Sequence, residues 1–236
     1  MLLGPVLIGS LLTWSAESTL SAYYDFDSSS PLTDTSGNGN DCSASGSVSY
    51  AEDRFGNAAS ALSLSGAQDC GSIGGSNCAG LDCGSTLNDA IAGNFDFSIC
   101  AWAYVESFND GAIFQAGTAG DCEIFSVRTQ SSGGWKLQGW GGCDVSLASY
   151  GTSTGVWQHH CAVYDGSTLT NYIDASAVAS NSLTFSIATG EHFYIGFYSA
   201  EDGNGFNGRI DDVWYLVPPL LFFPPPPRTH PIRAAF

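Results

Sequence analysis

The sequence predicts an all-β fold of many short strands, and three observations predict it. Apolar residues recur with a period of two, most clearly over residues 95–105, where Phe95, Phe97, Ile99, Ala101, Ala103 and Val105 line one face. The 236 residues include 29 glycines, 13% aromatic residues and only 12% charged ones, a balance that suits strands joined by tight turns. No stretch holds a helical period beyond a turn or two, the best being residues 86–92. A chain of this length forms one domain by default and can bury a sizeable core.

Along the chain, residues 1–18 come first. Leu2, Leu3, Val6, Leu7, Ile8, Leu11 and Leu12 make a short apolar run, and Ala16-Glu-Ser18 is a small-x-small cleavage site. The expectation is a secretory signal peptide, with the folded domain over 19–217; the run lacks a preceding Lys or Arg, and an uncleaved anchor is the alternative. Residues 20–27 form the first strand. Residues 28–40 form a loop rich in Ser, Gly, Asn and Asp, which turn the chain and offer oxygen ligands. Leu62 and Leu64 alternate with serines in a strand with one wet face. Residues 66–84 carry Cys70, Cys78 and Cys83 in a Gly/Ser background with little to pack, so disulfides are expected to order them.

The central strand, 95–105, also has a second face of Cys100, Trp102 and Tyr104 that is hardly polar. Residues 122–130 and 135–143 read as a hairpin around Ser131-Ser-Gly-Gly134. A turn centred between Ser132 and Gly133 sets Cys122 opposite Cys143. A second hairpin joins 157–165 to 169–174 around Asp165-Gly-Ser-Thr168, and 193–198 alternate Phe193, Ile195 and Phe197 with Tyr194, Gly196 and Tyr198. In the last strand, 208–216, Ile210, Asp212, Trp214 and Leu216 alternate with Arg209, Asp211, Val213 and Tyr215. Strict alternation buries one aspartate among apolar side chains, which requires a partner. The run Pro218-Pro-Leu-Leu-Phe-Phe-Pro-Pro-Pro-Pro227 has no strand or helix period. Residues 218–236 are read as a proline-rich disordered tail, either a linker or a gene-model artefact.

An even count of eight cysteines behind a signal peptide predicts disulfides in an oxidising compartment, and 105 pairings are open to them. The hairpin favours Cys122–Cys143. Cys100–Cys161 would join two central strands, Cys70–Cys78 would close the insertion, and Cys42–Cys83 remains by elimination. Cysteine spacing does not favour zinc, since there is no Cys-x-x-Cys pair. The net charge of -17 repels nucleic acid and anionic membranes, and is compatible with cations, with neutral sugars or with nothing beyond a solvated surface. No Asn-x-Ser/Thr sequon occurs.

Six stretches, in order, carry a resemblance: the strand ending Phe26-Asp27 with the loop Asp34-Thr-Ser-Gly-Asn-Gly-Asn40; Asp53-Arg-Phe-Gly-Asn57; Phe95-Asp-Phe-Ser-Ile-Cys-Ala-Trp102; Trp157-Gln-His-His160; Tyr164-Asp-Gly166; and Gly208 to Tyr215. The chain resembles the laminin-G-like jelly-roll domains of the concanavalin A-like lectin/glucanase superfamily over residues 20–216. The resemblance implies a two-sheet antiparallel jelly-roll sandwich used mostly for binding and adhesion, with residues 66–84 as an insertion. It also implies that the last strand packs beside the first.

Candidate sites follow. Asp27, Asp34, Asn40 and Asp211 could hold calcium, which takes six to eight oxygens; Asp211 is chosen over Asp212 on the family's motif. The alternative is a hydrogen-bonded loop of Asx turns. Trp102, Tyr104, Trp135, Trp140, Tyr194 and Tyr198 could stack on sugars; Trp102 is read as packing, and Trp135, Trp140, Tyr194 and Tyr198 are kept as the ligand set. His159 and His160 point to opposite faces and are read as one structural and one exposed residue rather than as metal ligands. There is no Glu-x-Asp-x-x-Glu run, no Gly-x-Ser-x-Gly elbow and no phosphate loop, so no catalytic residue is named. The expectation is a secreted, non-catalytic module binding carbohydrate or an extracellular glycoprotein, possible calcium included, without nucleic-acid binding or membrane insertion. Two alternatives stand: a diverged glycoside hydrolase or lyase, and a structural unit of an extracellular matrix or fibre.

Overall fold

The computed structural model describes residues 19–27, 29–67, 79–117, 122–139, 143–147, 153–198 and 204–217. The expected signal peptide, the Cys70–Cys78 bridge, Trp140 and the tail lie outside the described residues.

Two antiparallel sheets face each other. The first runs Ser176–Ser182 (β13), Thr168–Ile173 (β12), Trp157–Tyr164 (β11), Phe97–Val105 (β6), Asn207–Val217 (β17), Ala61–Ser65 (β4), Ser49–Ala51 (β3). Thr19–Tyr24 (β1) completes its eight strands by pairing with the second half of β17, Tyr23 opposite Trp214. The first and last strands are therefore neighbours, as the resemblance implies. The second sheet runs Val145–Leu147 (β10), Trp135–Gln138 (β9), Ile124–Thr129 (β8), Ala112–Gly117 (β7), Phe193–Ile195 (β14), Gly80–Asp82 (β5), Ser43–Ser45 (β2). Phe197–Tyr198 (β15) pairs with Asn204–Gly205 (β16), and Thr86–Asp89 (α1) is a single helical turn.

The core lies between the sheets. From the first sheet it takes Phe97, Ile99, Ala101, Ala103, Val105, Ile210, Val213 and Tyr215; from the second, Phe114, Ala116, Phe125, Val127, Trp135, Leu137, Phe193 and Ile195. These sets follow the period of two along each strand, so the alternate residues define the two outer faces.

Several expectations change. A one-residue bulge interrupts β17: Asp211 pairs with Trp102, but Trp214 pairs with Cys100, and Asp212 adopts a positive φ of 46°. The extra residue resets the alternation. Ile210, Val213 and Tyr215 face the core, and neither aspartate shares it. Gly208, at φ 148°, allows β17 to approach β6: a Cβ there would sit 2.0 Å from the Tyr104 carbonyl oxygen. Phe95 precedes β6 and is 63% exposed, because the strand begins at Phe97. The insertion is not entirely loop, since its end forms β5 with Leu81 in the core. At Gly196, φ 77°, the predicted strand 193–198 breaks into β14 and β15.

Three of the expected disulfides are present: Cys42–Cys83, Cys100–Cys161 and Cys122–Cys143. The hairpin bridge forms despite a register one residue from the expected one. Ser126 pairs with Gln138, where the expected register sets it opposite Gly139. Cys122 and Cys143 meet beyond the strand ends, after Cys122 has turned to φ 61° and donated its N–H to the Gly139 carbonyl.

Candidate functional site

The outer face of the second sheet carries a row of polar side chains in one register. Ser43 opposes Asp82, Asp82 opposes Tyr194, Tyr194 opposes Gln115, Gln115 opposes Ser126, and Ser126 opposes Gln138. Six strands at about 4.8 Å spacing make this row about 24 Å long, perpendicular to the strands. Ser43 is exposed and Asp82 and Tyr194 are half-buried, whereas Gln115 and Ser126 are closed from solvent.

At the open end the Asp82 carboxylate binds the His192 ring through Nδ1 at 2.8 Å and accepts the Gly84 N–H at 2.9 Å. The His192 ring lies 6.0 Å from that of Tyr194. Burial, then the charges of Asp82 and Glu191, raise the Tyr194 hydroxyl pKa, so it stays a neutral donor and acceptor. At the closed end Arg128, 7% exposed, lies along the row. Its Nη1 donates to Gln138 Oε1 at 3.0 Å, its Nη2 pairs with Asp110 at 3.1 Å, and its guanidinium sits 4.2 Å over the Tyr198 ring. Burial opposes ionisation of Asp110, but hydrogen bonds from Ser131 and the Arg128 guanidinium outweigh it and hold the pKa below its usual value. Arg128 Nε and Ser126 Oγ are buried without a hydrogen-bond partner. A buried polar atom left in that state is unusual enough to require a reason.

The outer face of the first sheet is different in kind. Tyr23 stacks on Trp214 at 5.5 Å with planes 3° apart; the His159 ring lies 5.1 Å from Trp102 and 5.8 Å from Trp214. Arg54 sits over Phe55 and Trp102 and ion-pairs with both carboxylates of the bulge: Nη1 to Asp211 at 2.5 Å, and Nη2 to Asp212. Asp212 also accepts the Tyr23 hydroxyl. Burial and the adjacent Asp212 charge push the Asp211 carboxyl well above the usual carboxylate range, with Arg54 pulling the other way. The Cys100–Cys161 bridge lies on this face beside His159.

The predicted site residues are distributed as follows. Asp34 and Asn40 come together: Asp34 accepts backbone N–H groups of Tyr23, Ser36 and Asn40 at 2.9–3.0 Å, and Asn40 donates to the Ser21 carbonyl. Asp27 stands at the start of the same loop, its carbonyl accepting the Ser30 N–H. Asp211 is held by Arg54 instead. Tyr23 joins the two groups, giving its N–H to Asp34 and its hydroxyl to Asp212. Trp135 is a correction: it is 0% exposed and its ring lies 4.0 Å from His160 between the sheets, so it belongs to the core and not to a ligand face. Tyr194 stands in the polar row and Tyr198 beneath Arg128. His159 and His160 do point to opposite faces, but both are buried, so neither is the exposed residue expected.

Sequence alone assigns no role to Arg54, Arg128, Gln115 or Gln138. A usable signal existed for the arginines. With only six Lys plus Arg in the chain, a basic residue within a strand or in a Gly-containing turn must be paired when buried.

A laminin-G family model, described as concanavalin A-like lectin/glucanases superfamily, matches residues 80–216, more than half of the chain. The chain belongs to this superfamily. No curated protein matches it in sequence. Among solved structures it is similar to domain 4 of AbnA, an extracellular arabinanase of Geobacillus stearothermophilus, in complex with arabinotriose (18% identity, 84% of this chain and 92% of that one, TM-score 0.56). It is also similar to the binding domain of Paraclostridial Mosquitocidal Protein 1 (14%, 86% and 50%, TM-score 0.58). A third is botulinum neurotoxin type C, which enters cells in dependence upon interaction with two ganglioside molecules (13%, 84% and 47%, TM-score 0.56). This superfamily member thus spans about half the length of the toxin chains it matches. At these identities the likeness shows the fold.

Proposed function

We propose that this superfamily member is a secreted, non-catalytic module that binds carbohydrate on the outer face of its second sheet. The observation that carries the reading is the polar row from Asp82 to Gln138. Sugar hydroxyls both donate and accept, and the Asp82 carboxylate and Tyr194 phenol at the open end of this five-strand row offer both functions, with Gln115 and Ser126 closed from solvent behind them. Tyr194 adds a half-exposed ring at the open end, where a sugar's apolar face can stack. The neighbours support the class, one holding arabinotriose and one depending on gangliosides. Secretion is supported by the expected signal segment and by three disulfides, which persist in oxidising compartments.

A glycan array with the refolded mature domain tests the reading. A binder should appear, and Tyr194→Ala should weaken it by more than about 1 kcal/mol, at least fivefold. Binding untouched by Tyr194→Ala, with the fold intact, moves the site off this face.

Hydrolysis is the second reading, favoured by the raised carboxyl of Asp211 beside Asp212. Against it stands Arg54, which engages both carboxylates that an acid/base pair would need free. Release of reducing ends that disappears in Asp211→Asn would establish the hydrolase. Calcium remains a further proposal, supported by the oxygen-rich loop of Asp27, Asp34 and Asn40; Asp211 would have to leave Arg54 to join it.

A further inference from the structure

The outer face of the first sheet bares more aromatic surface than its charged cluster uses. Three levels of rings follow one another along β6. Tyr104 stands opposite Trp157, Trp102 stands opposite His159, and at the next level Trp214 stands opposite Cys100 with Tyr23 stacked on it. Tyr23, Trp102, Tyr104, Trp157 and Trp214 are all half-buried rather than closed from solvent. The strip is rimmed on one side by Val156, 47% exposed, and on the other by Phe55, 37% exposed, which shares the Arg54 guanidinium with Trp102. Contiguous exposed apolar surface of this kind marks an interaction site.

The chain itself holds a segment that fits. Residues 218–236 follow directly on β17, the strand that carries Trp214. Leu220-Leu-Phe-Phe223 is a run of four large apolar side chains, a costly thing to leave in water. Pro224 to Pro227 favour polyproline II, a preformed extended helix that aromatic-lined surfaces bind at little entropic cost. Charge agrees. Residues 19–217 hold 22 acidic and four basic side chains, a net charge of -18, while residues 218–236 hold Arg228 and Arg233 and no acid. The segment is therefore attracted to the domain, whereas a second copy of the domain is repelled.

We propose that the three-level aromatic strip is the docking surface for residues 218–236 of the same chain, with the four prolines lying along it. The lengths fit. Two intervals of two strand residues make the strip about 13 Å long. Four prolines at about 3.1 Å each span about 12 Å. Trp214 lies three residues before the end of β17, about 10 Å from Val217. The six residues 218–223 reach up to about 20 Å, so the chain can reverse and bring Pro224 back to the Trp214 level. Pro227 then falls at Tyr104, and Arg228 comes to the end where β6 gives way to Glu106. Exposed Glu52 stands at that end too, its carbonyl accepting Arg209 Nη1 at 3.4 Å. The Glu106 side chain is 50% exposed and its contact with Arg209 is long, 3.9 Å, so it is open to a second cation. The tether makes the encounter intramolecular, at an effective concentration on the order of millimolar, so a modest contact suffices.

The test compares the full chain with a chain ending at Val217, which loses no described strand, and with that shortened chain plus a synthetic peptide of residues 218–236. Tryptophan emission should lie further to the blue in the full chain, and acrylamide should quench it less. The peptide should restore both properties to the shortened chain, saturably. Trp157→Ala in the shortened chain should weaken peptide binding at least fivefold. Changes in the peptide cannot unfold the domain. A peptide with Arg228→Glu and Arg233→Glu should bind at least fivefold more weakly at low salt, the difference shrinking as salt rises. A peptide with Pro225→Gly and Pro226→Gly should bind at least threefold more weakly at any salt. The proposal is overturned if removing residues 218–236 leaves emission and quenching unchanged, if the peptide does not bind, or if the substituted peptides bind as the parent does. Emission of the full chain that changes with protein concentration would place the segment on a second copy and overturn docking within one chain.

Discussion

The two outer faces of the sandwich solve the same problem in opposite ways. Each has polar groups at the centre of a sheet, where water reaches poorly. On the first sheet the charged groups satisfy one another, although Trp102 Nε1 is left without a partner: Arg54 spans Asp211 and Asp212, Tyr23 caps Asp212, and aromatic rings close around them. On the second sheet satisfaction stops short. Arg128 reaches Gln138 and Asp110, but its Nε and the Ser126 hydroxyl remain without partners. A self-satisfied polar cluster is a stability device, whereas a buried polar atom without a partner calls for a reason, a bound water or a ligand among them. The half-exposed Asp82 and Tyr194 at the open end of the polar row are why the second face, not the richer-looking aromatic one, is proposed as the binding surface.

The strongest test of the contrast is Arg54→Met. It leaves Asp211 and Asp212 buried together with no counter-charge, and removing one partner of a buried ion pair costs about 3–5 kcal/mol. Thermal or denaturant unfolding should register that loss with glycan binding per folded molecule unchanged. The corresponding change on the other face, Arg128→Met, should cost about 1–3 kcal/mol, because Asp110 is more open to water and can be rehydrated. Its larger effect should be on binding. If Arg128→Met destabilises more than Arg54→Met, the roles assigned to the two faces are reversed.

Acid separates the outer face from the core. Burial, helped by the Arg54 charge, lowers the His159 pKa to about 4. Burial, helped by His159, lowers that of His160 to about 3 against the Trp135 ring. Folded values below the unfolded 6.5 mean that this stability is fully present above pH 6.5 and is lost as pH falls toward 4, where the unfolded chain takes up protons that the folded one refuses. Each ring should account for about 2 kcal/mol between pH 7 and pH 5. Asp211 opposes the trend, because its raised folded pKa favours the folded state as acid is added. In His160→Gln the slope of stability against pH should fall by about one proton over this range. An unchanged slope would show that His160 is protonated in the folded protein.

How far each face could be read in advance follows from the same physics. Inner-facing positions of β6 and β14 are legible because a period of two imposes burial on every second residue. The strand β7, Ala-Ile-Phe-Gln-Ala-Gly, carries no legible alternation: both its faces are buried, so Gln115 interrupts an apolar run where alternation would place it only if the outer face were known. The bulge in β17 was also hidden, since nothing local distinguishes Asp211-Asp212 in strict alternation from the same pair with one residue extruded. The consequence was large, moving both carboxylates from a core that would need an ion to a face where Arg54 meets them. Trp135 illustrates the reverse. Its Gly-rich hairpin suggested exposure, yet the register sets it against His160 in the interior. Composition locates turns, while long-range pairing decides what they bring inside.

The smallest expected effect bears on the link between the loop 28–40 and the last strand. Tyr23 already ties them through two bonds, its N–H to Asp34 and its hydroxyl to Asp212. An ion bound by Asp27, Asp34 and Asn40 would therefore reinforce an existing tie. Extracellular calcium modules bind at roughly 10⁻⁴–10⁻³ M, so millimolar calcium should contribute about 1 kcal/mol. Melting curves with calcium and with a chelator should differ by a few degrees in the parent protein, and Asp34→Asn should abolish the difference. Asp211→Asn distinguishes two arrangements. If the shift survives that substitution, the ion sits in the loop alone and Arg54 keeps the last strand. If it vanishes while the variant stays folded, Asp211 leaves Arg54 for the metal, and the first face is less self-sufficient than its bonds suggest. With no shift in the parent, Tyr23 is the whole connection, and Tyr23→Phe should then lower the melting temperature by more than calcium could ever raise it.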